Sequence, residues 1–240
     1  MTLESVEIIE EVRRPDVDLM LDCPSGEVRA IVFYPDERLT QVSEEVPPDF
    51  WGDQLNKLLS DMATTMYLCG GMGLSAVQVG VPLRVFICDI FANAPPQPKG
   101  MPRSQLLVAV NPTVEALEGS QTVGHPEGCL SFPGVHEVVE RPNNAILRAR
   151  DRHGNAYVLP TGGMLGRVIQ HEMDHLDGKT FLDRMKPKVR ERAEKAAERF
   201  HTAVTAGTIR VAAKPKALPG GETRQKARQK RKVAKKRGRR

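Results

Sequence analysis

The spacing of apolar side chains divides the chain into short elements of two kinds. Between residues 50 and 69 they fall at 51, 55, 58, 59, 62, 66 and 69, the spacing of a helix with one buried face. Gly70 and Gly71 follow at once and end it. Upstream, IVFYPDERL from Ile31 reads as a short strand entering a turn at Pro35-Asp36. Downstream of a Gly-rich segment come the runs LRVFICDI, LLVAVNP, HEVVERP and NAILRARDRHGNAYVL, separated by turn residues. Arg150 to Asn155 looks like a hairpin turn between two alternating strands. Two helices are expected after it, over 161–176 and 187–204. The second opens on Pro187 and mixes Glu, Arg and Ala as a solvated helix does. The Pro-rich stretch 92–104 reads as a surface loop, and no internal repeat is present.

Composition adds a division that hydropathy does not show. The 240 residues are 40% hydrophobic and 27% charged, which suits a soluble core with polar appendages. No apolar run approaches 18 residues, so no transmembrane helix is expected. The formal charge of +5 is unevenly placed. Residues 214–240 hold 13 of the 35 Lys and Arg but one acid, Glu222, which leaves 22 basic and 29 acidic residues before them. An acidic body of net charge −7 thus carries a strongly basic tail, the mark of an interaction segment. Residues 1–27 are polar and acidic, with no basic residue before Arg13, which argues against a signal or Arg-rich transit peptide. Cys23, Cys69, Cys88 and Cys129 are widely spaced without a CxxC pair, so a reducing, cytoplasmic setting is expected. Cys88, and less firmly Cys23 and Cys69, read as small buried hydrophobes.

Candidate chemistry concentrates in three segments. In QHEMDHLDG (170–178), His171 and His175 are four apart and share one helix face, where two imidazoles can hold one metal ion with Glu172 as general base. Leu165, Ile169 and Leu176 place that helix largely in the core rather than in solvent. A catalytic metal wants three protein ligands and an open position. His201, in the basic helix, is better explained as a surface residue, and the upstream EGCLSFPG (127–134) offers Cys129 between Gly128 and a turn. A thiolate suits a borderline-soft ion, although a cysteine of this kind is by itself more simply a buried inert residue. The third segment, GMGLSAVQVG (71–80), permits close backbone approach but lacks the spacing of a nucleotide loop. Gln78 within it is either an amide donor or a glutamine that bonds its own turn.

Together the three segments resemble the peptide deformylases, whose members carry GxGLAAxQxG, EGCLS and QHExDHLxG in this order. One small departure is Ser75, where the family usually has alanine. The likeness covers roughly residues 28–204. It implies an enzyme that removes the formyl group from N-formylmethionyl nascent polypeptides, usually with ferrous iron; Cys/His₂ ligation also admits zinc, nickel or cobalt. On this sequence it makes Cys129, His171 and His175 the metal ligands and Glu172 the general acid/base. Gln78 and the Leu130 backbone N–H become the oxyanion donors. Met72, Gly73, Glu127 and Met164 match positions that line or shape the methionine pocket. His136 stands where many bacterial members have arginine, so a charge-assisted contact near the substrate backbone is not carried over. Arg141 keeps a basic residue that the family tends to have.

The expected fold is α+β, with antiparallel sheets packed around a central helix bearing His171 and His175. Residues 1–27 are expected to form a polar extension, 28–206 the catalytic domain, and 207–240 a basic, disordered tail. No aromatic residue interleaves the charges of 224–240, so attachment to ribosomal RNA through phosphate is expected rather than base readout. A solvated tail without a partner and a nuclear-localisation segment are the other readings of that composition. Two other function classes fit part of the chain. A small metalloprotease explains HExxH alone, and a non-enzymatic nucleic-acid-binding protein explains the tail alone.

Overall fold

The computed structural model describes residues 26–92 and 106–206. The expectations for residues 1–25 of the N-terminal extension, 93–104 of the Pro-rich loop, Cys23 and the basic tail lie outside the described residues. No helix among the described residues is long and apolar enough to cross a membrane.

Helix α1 spans Asp53–Cys69 and ends where Gly70 adopts φ 71°, its N–H turning back to the Met66 and Tyr67 carbonyls. Strands β1 (Gly73–Ser75), β2 (Val85–Cys88) and β3 (Leu107–Ala116) follow, and then β4 (Thr122–Gly128) and β5 (His136–Pro142). Strands β6 (Asn144–Arg150) and β7 (Ala156–Gly162) lead into helices α2 (Gly163–Leu176) and α3 (Pro187–Thr205). One antiparallel sheet has the order β1-β2-β3-β6-β7, and β4-β5 form a separate two-stranded ribbon.

Alternation along β2 explains how the sheet is covered. Val85 and Ile87 pack with Leu55, Leu59, Met62 and Met66 of α1 on one face. Phe86 and Cys88 join Ile169, Met173 and Leu176 of α2 on the other. A third cluster, with Phe132, Val139, Phe181, Ala193 and Ala197, joins the ribbon to α3. The α+β architecture around a central α2 is as the sequence analysis expects. Helix α3 is solvated as expected, with only Ala193 and Ala197 buried along it, and His201 is exposed.

Three details differ from the sequence reading. Residues 161 and 162 end β7 instead of starting α2, because Ala145 and Asn144 of β6 pair with them and Gly163, at φ 56°, makes the turn into the helix. The segment from Ile31 is extended but joins neither sheet. Val32 N–H donates to the Gln78 carbonyl at 2.8 Å and Tyr34 N–H to the Ser131 carbonyl at 3.0 Å, so it straps two motif segments together. Cys88 is fully buried, whereas Cys69 is exposed at the last turn of α1, where the helix runs out beside a cleft.

Candidate active site

Helix α2 supplies the centre of the site. Its register turns His171, Glu172 and His175 inward, and all three are buried. The turn after β4 brings Cys129 to them. Its Sγ lies 3.3 Å from His175 Nε2, and the ligating atoms of Cys129, His171 and His175 all fall within 4.8 Å of one another. Tetrahedral bonds to one ion would separate such atoms by about 3.5 Å. His171 Nδ1 is held 3.0 Å from Glu127 Oε2, which leaves Nε2 as the atom to ligate.

Glu127 is the hub of a buried charge network. Arg141 bonds both its oxygens, at 2.7 and 2.9 Å, and reaches Asp174 at 2.8 Å. Arg167 adds a 2.7 Å bond to Glu127 and donates to the Val139 and Val123 carbonyls. Burial alone would raise the Glu127 carboxyl, but bonds from His171 and Arg141 outweigh it and hold its pKa at about 2. Burial likewise opposes charge on His171, yet Cys129 and Glu127 hold its pKa well above the ordinary value. His175, by contrast, is kept neutral, first by burial and then by the charges of His171 and Arg141.

Glu172 sits beside the cluster with Oε2 buried and without a hydrogen-bond partner among the described residues. Burial pushes its pKa up to about 7, against the pull of His171, a hydrogen bond to Ser75, and Arg141. Gly73 of β1 packs directly on it: a Cβ there would collide with Glu172 Oε1 and lie 2.8 Å from Val168 Cγ1. Glycine at 73 therefore makes room for the carboxylate.

Gln78 sits in the 3-10 turn Ala76–Val79. Its Oε1 accepts the Ser75 backbone N–H and hydroxyl, each at 3.0 Å, while Nε2 donates to Ser131 Oγ at 3.1 Å and faces Cys129 Sγ at 3.3 Å. Both sequence readings of Gln78 thus have a structural counterpart, since it braces its own turn and presents an N–H to the cluster.

A cleft of about 1260 Å³ opens over these groups. Met72, Gly73, Gln78, Glu127, Cys129, Leu130, Met164, His171 and Glu172 all line it, as does His136, packed against Gly128. Met72 and Met164 are about one-third exposed, so apolar side chains flank an entrance. Glu127 touches the cleft, but both its oxygens are engaged by arginines and His171. Sequence reasoning did not find Ser131, Arg167 or Asp174. Arg167 and Asp174 share α2 with the histidines, and their acid–base character in a buried helix was the available signal.

The profile of the polypeptide deformylase family matches residues 28–191. The chain belongs to this family.

A peptide deformylase of Cellvibrio japonicus is 40% identical over 173 residues, covering 72% of this chain and 95% of that one. One from Stutzerimonas stutzeri is 39% identical over 71% of this chain and 95% of the relative. Among solved structures, a peptide deformylase from Legionella pneumophila superposes with a TM-score of 0.64 at 33% identity, covering 74% of this chain and 98% of the other. As a member of this family, the chain removes the N-terminal formyl group from nascent polypeptides. The family is metal-dependent, and the chain holds a Cys/His/His cluster whose spacing and donor chemistry fit a divalent ion.

Proposed function

We propose that residues 28–206 form the catalytic unit and that Cys129, His171 and His175 hold one divalent ion, ferrous iron in the native enzyme, with Glu172 as general acid/base. The convergence of those three ligating atoms within 4.8 Å, beside a buried carboxylate, carries this reading. When bound, the ion supplies Lewis acidity and acidifies a water molecule. Glu172 takes the water proton and returns it to the departing amide nitrogen; its pKa of about 7 suits both halves of that task. Amide hydrolysis also builds negative charge on the formyl oxygen. The Gln78 Nε2–H and the Leu130 backbone N–H donate to it, which lowers the barrier without placing a second cation beside the ligands. Met72 and Met164 receive the methionine side chain, with Gly73 leaving space beside Glu172 and Glu127 steadying His171.

The enzyme works on N-formylmethionyl nascent chains in the cytoplasm, and residues 214–240 attach it to ribosomal RNA through phosphate contacts. Thirteen cations against one acid support that attachment.

The test pairs two variants on a formyl-Met-Ala-Ser peptide. Cys129→Ala should lose metal and activity together, because two imidazoles form an incomplete site. Glu172→Ala should keep its metal while kcat falls by about 100-fold or more. Stoichiometric metal in Cys129→Ala would overturn the ligand assignment, and normal kcat in Glu172→Ala would overturn the proton-carrier role. Cleavage of an internal peptide bond would point instead to a metalloprotease.

A further inference from the structure

Arg167, His171 and Asp174 follow one another along α2 at steps of four and three, so they share one stripe of the helix surface. That stripe meets the bonded pair Glu127 and Arg141 of the ribbon. Arg167 and His171 bond Glu127, and Asp174 bonds Arg141. Asp174 has a further partner outside the ribbon. Arg184 grips it as a fork: Nη2 bonds Oδ1, and Nε lies 3.2 Å from Oδ2, the oxygen that also accepts Arg141 Nη1 at 2.8 Å. An unbroken run of hydrogen-bonded side chains thus leads from Arg184 through Asp174, Arg141 and Glu127 to His171.

Arg184 differs from the rest of the run in where it stands. Its side chain is 45% exposed, whereas those of Arg141, Glu127 and Asp174 are 2%, 5% and 4% exposed. It closes the 3-10 turn Phe181–Arg184, which leads into α3. That turn is a firm base. Phe181 and Leu182 are buried, and Asp183 accepts the Thr180 backbone N–H at 2.8 Å and the Thr180 hydroxyl at 3.2 Å. From this base the fork fixes the plane of the Asp174 carboxylate, and with it the direction in which Oδ2 meets Arg141. A carboxylate held by Arg141 alone would be free to turn about its own bond.

We propose that Arg184 is a positioning residue for the metal ligand His171, acting through Asp174, Arg141 and Glu127. The inference rests on the assignment of Cys129, His171 and His175 as the ligands. Arg184 is not among the residues that line the cleft, so its influence on the metal travels either through these bonds or through space. The two routes have opposite signs. Through space, removing a cation tightens metal binding, because like charges repel. Through the bonds, removing it frees Asp174, loosens Arg141 on Glu127 and lets the His171 ring turn, which weakens metal binding.

The experiment measures the affinity of the full-length protein for zinc, used as the probe metal, by competition with a chromophoric chelator. Arg184→Ala should weaken zinc binding about three- to tenfold, less than the 10- to 100-fold of a partner that touches the ligand directly, because three side chains intervene. Arg190→Ala is the control. Arg190 is also 45% exposed and lies in the first turn of α3, but it bonds Asp183 and Glu194 instead, so its removal should leave zinc affinity within about twofold. In a Glu127→Gln background, Arg184→Ala should change the affinity by less than about twofold, because the run is already cut beside His171. Unchanged or tighter zinc binding in Arg184→Ala would overturn the proposal, including the case in which only the Tm falls, and so would equal losses in Arg184→Ala and Arg190→Ala. An undiminished loss in the Glu127→Gln background would do the same; if Glu127→Gln does not fold, the two single variants decide alone. Stoichiometric zinc in Cys129→Ala would refute the ligand assignment itself, an outcome distinct from an unaffected Arg184→Ala beside a zinc-free Cys129→Ala.

Discussion

Gly73 shows how much a single missing side chain can decide. A methyl group there would collide with the Glu172 carboxylate and approach Val168, so either the strand or that carboxylate must move. Gly73 has an ordinary backbone conformation, and the need for glycine is one of space rather than dihedral freedom. Gly73→Ala should therefore fold and retain metal, since no ligand is touched, while kcat falls by at least about tenfold as Glu172 is displaced. Metal analysis beside steady-state kinetics checks this; a variant with unchanged kcat would show that the carboxylate has room to spare.

Among the elements, α2 does several things at once. It covers one sheet face, carries two imidazoles and Glu172 inward, and anchors the ribbon through Arg167 and Asp174. Arg141 of β5 completes that anchor from a position 2% exposed, between Glu127 and Asp174. Arg141→Ala should cost about 3–5 kcal/mol, the usual consequence of removing one partner from a buried ion pair. It should also weaken metal retention about 10- to 100-fold, because Glu127 then holds His171 less firmly. Denaturant unfolding and competition with a chelator read the two effects separately.

Helix α1 has an anchor of its own, far from the ligands. Asp61 is buried, and burial alone would raise its pKa. The Glu27 backbone N–H, Lys57 and Arg29 reverse that and hold it below the ordinary aspartate value. A carboxyl depressed in the folded state stabilises above its unfolded pKa and loses that contribution as pH falls through the folded one. The wild-type protein should thus be more stable than Asp61→Asn at pH 7. The gap should narrow as the pH drops below about 4, the unfolded aspartate pKa. Thermal unfolding of both proteins across pH 3–7 tests it, and a constant gap would contradict the sign.

For the whole molecule the decisive feature is the uneven division of charge along the sequence. Removing residues 214–240 changes the formal charge from +5 to −7 but touches no ligand, donor or cleft residue. On a short formyl-methionyl peptide, kcat/KM should stay within about twofold, well inside the ~1.4 kcal/mol of a tenfold change. Ribosome binding should behave oppositely. The full-length protein should lose about 10³-fold in affinity between 50 and 200 mM salt if six phosphates are engaged, and the truncated acidic body should bind far more weakly throughout. Scrambling residues 224–240 should preserve binding, since charge and not order is the determinant. Equal affinity of the two proteins at low salt would sink the attachment and leave the catalyst untouched.

The periodicities of α1 and of the long strands were legible along the chain because each buries one face, and burial of one face writes itself into spacing; α3 was legible instead from its opening proline and solvated composition. The ribbon strand β4 was not, since TVGHPEG is mostly exposed and its pairing with β5 leaves little hydrophobic trace. The same contrast holds at the site. Ligand types and the HExxH spacing are local properties of sequence, so Cys129, His171, Glu172 and His175 could be named from it. That Cys129 meets the two histidines across 46 residues from His175, that Glu127 holds His171, and that Gly73 packs on Glu172 are contacts between distant segments. Only the packing of α2 against the sheet and the ribbon decides them, because side-chain direction across an interface depends on register between elements, which no single segment encodes.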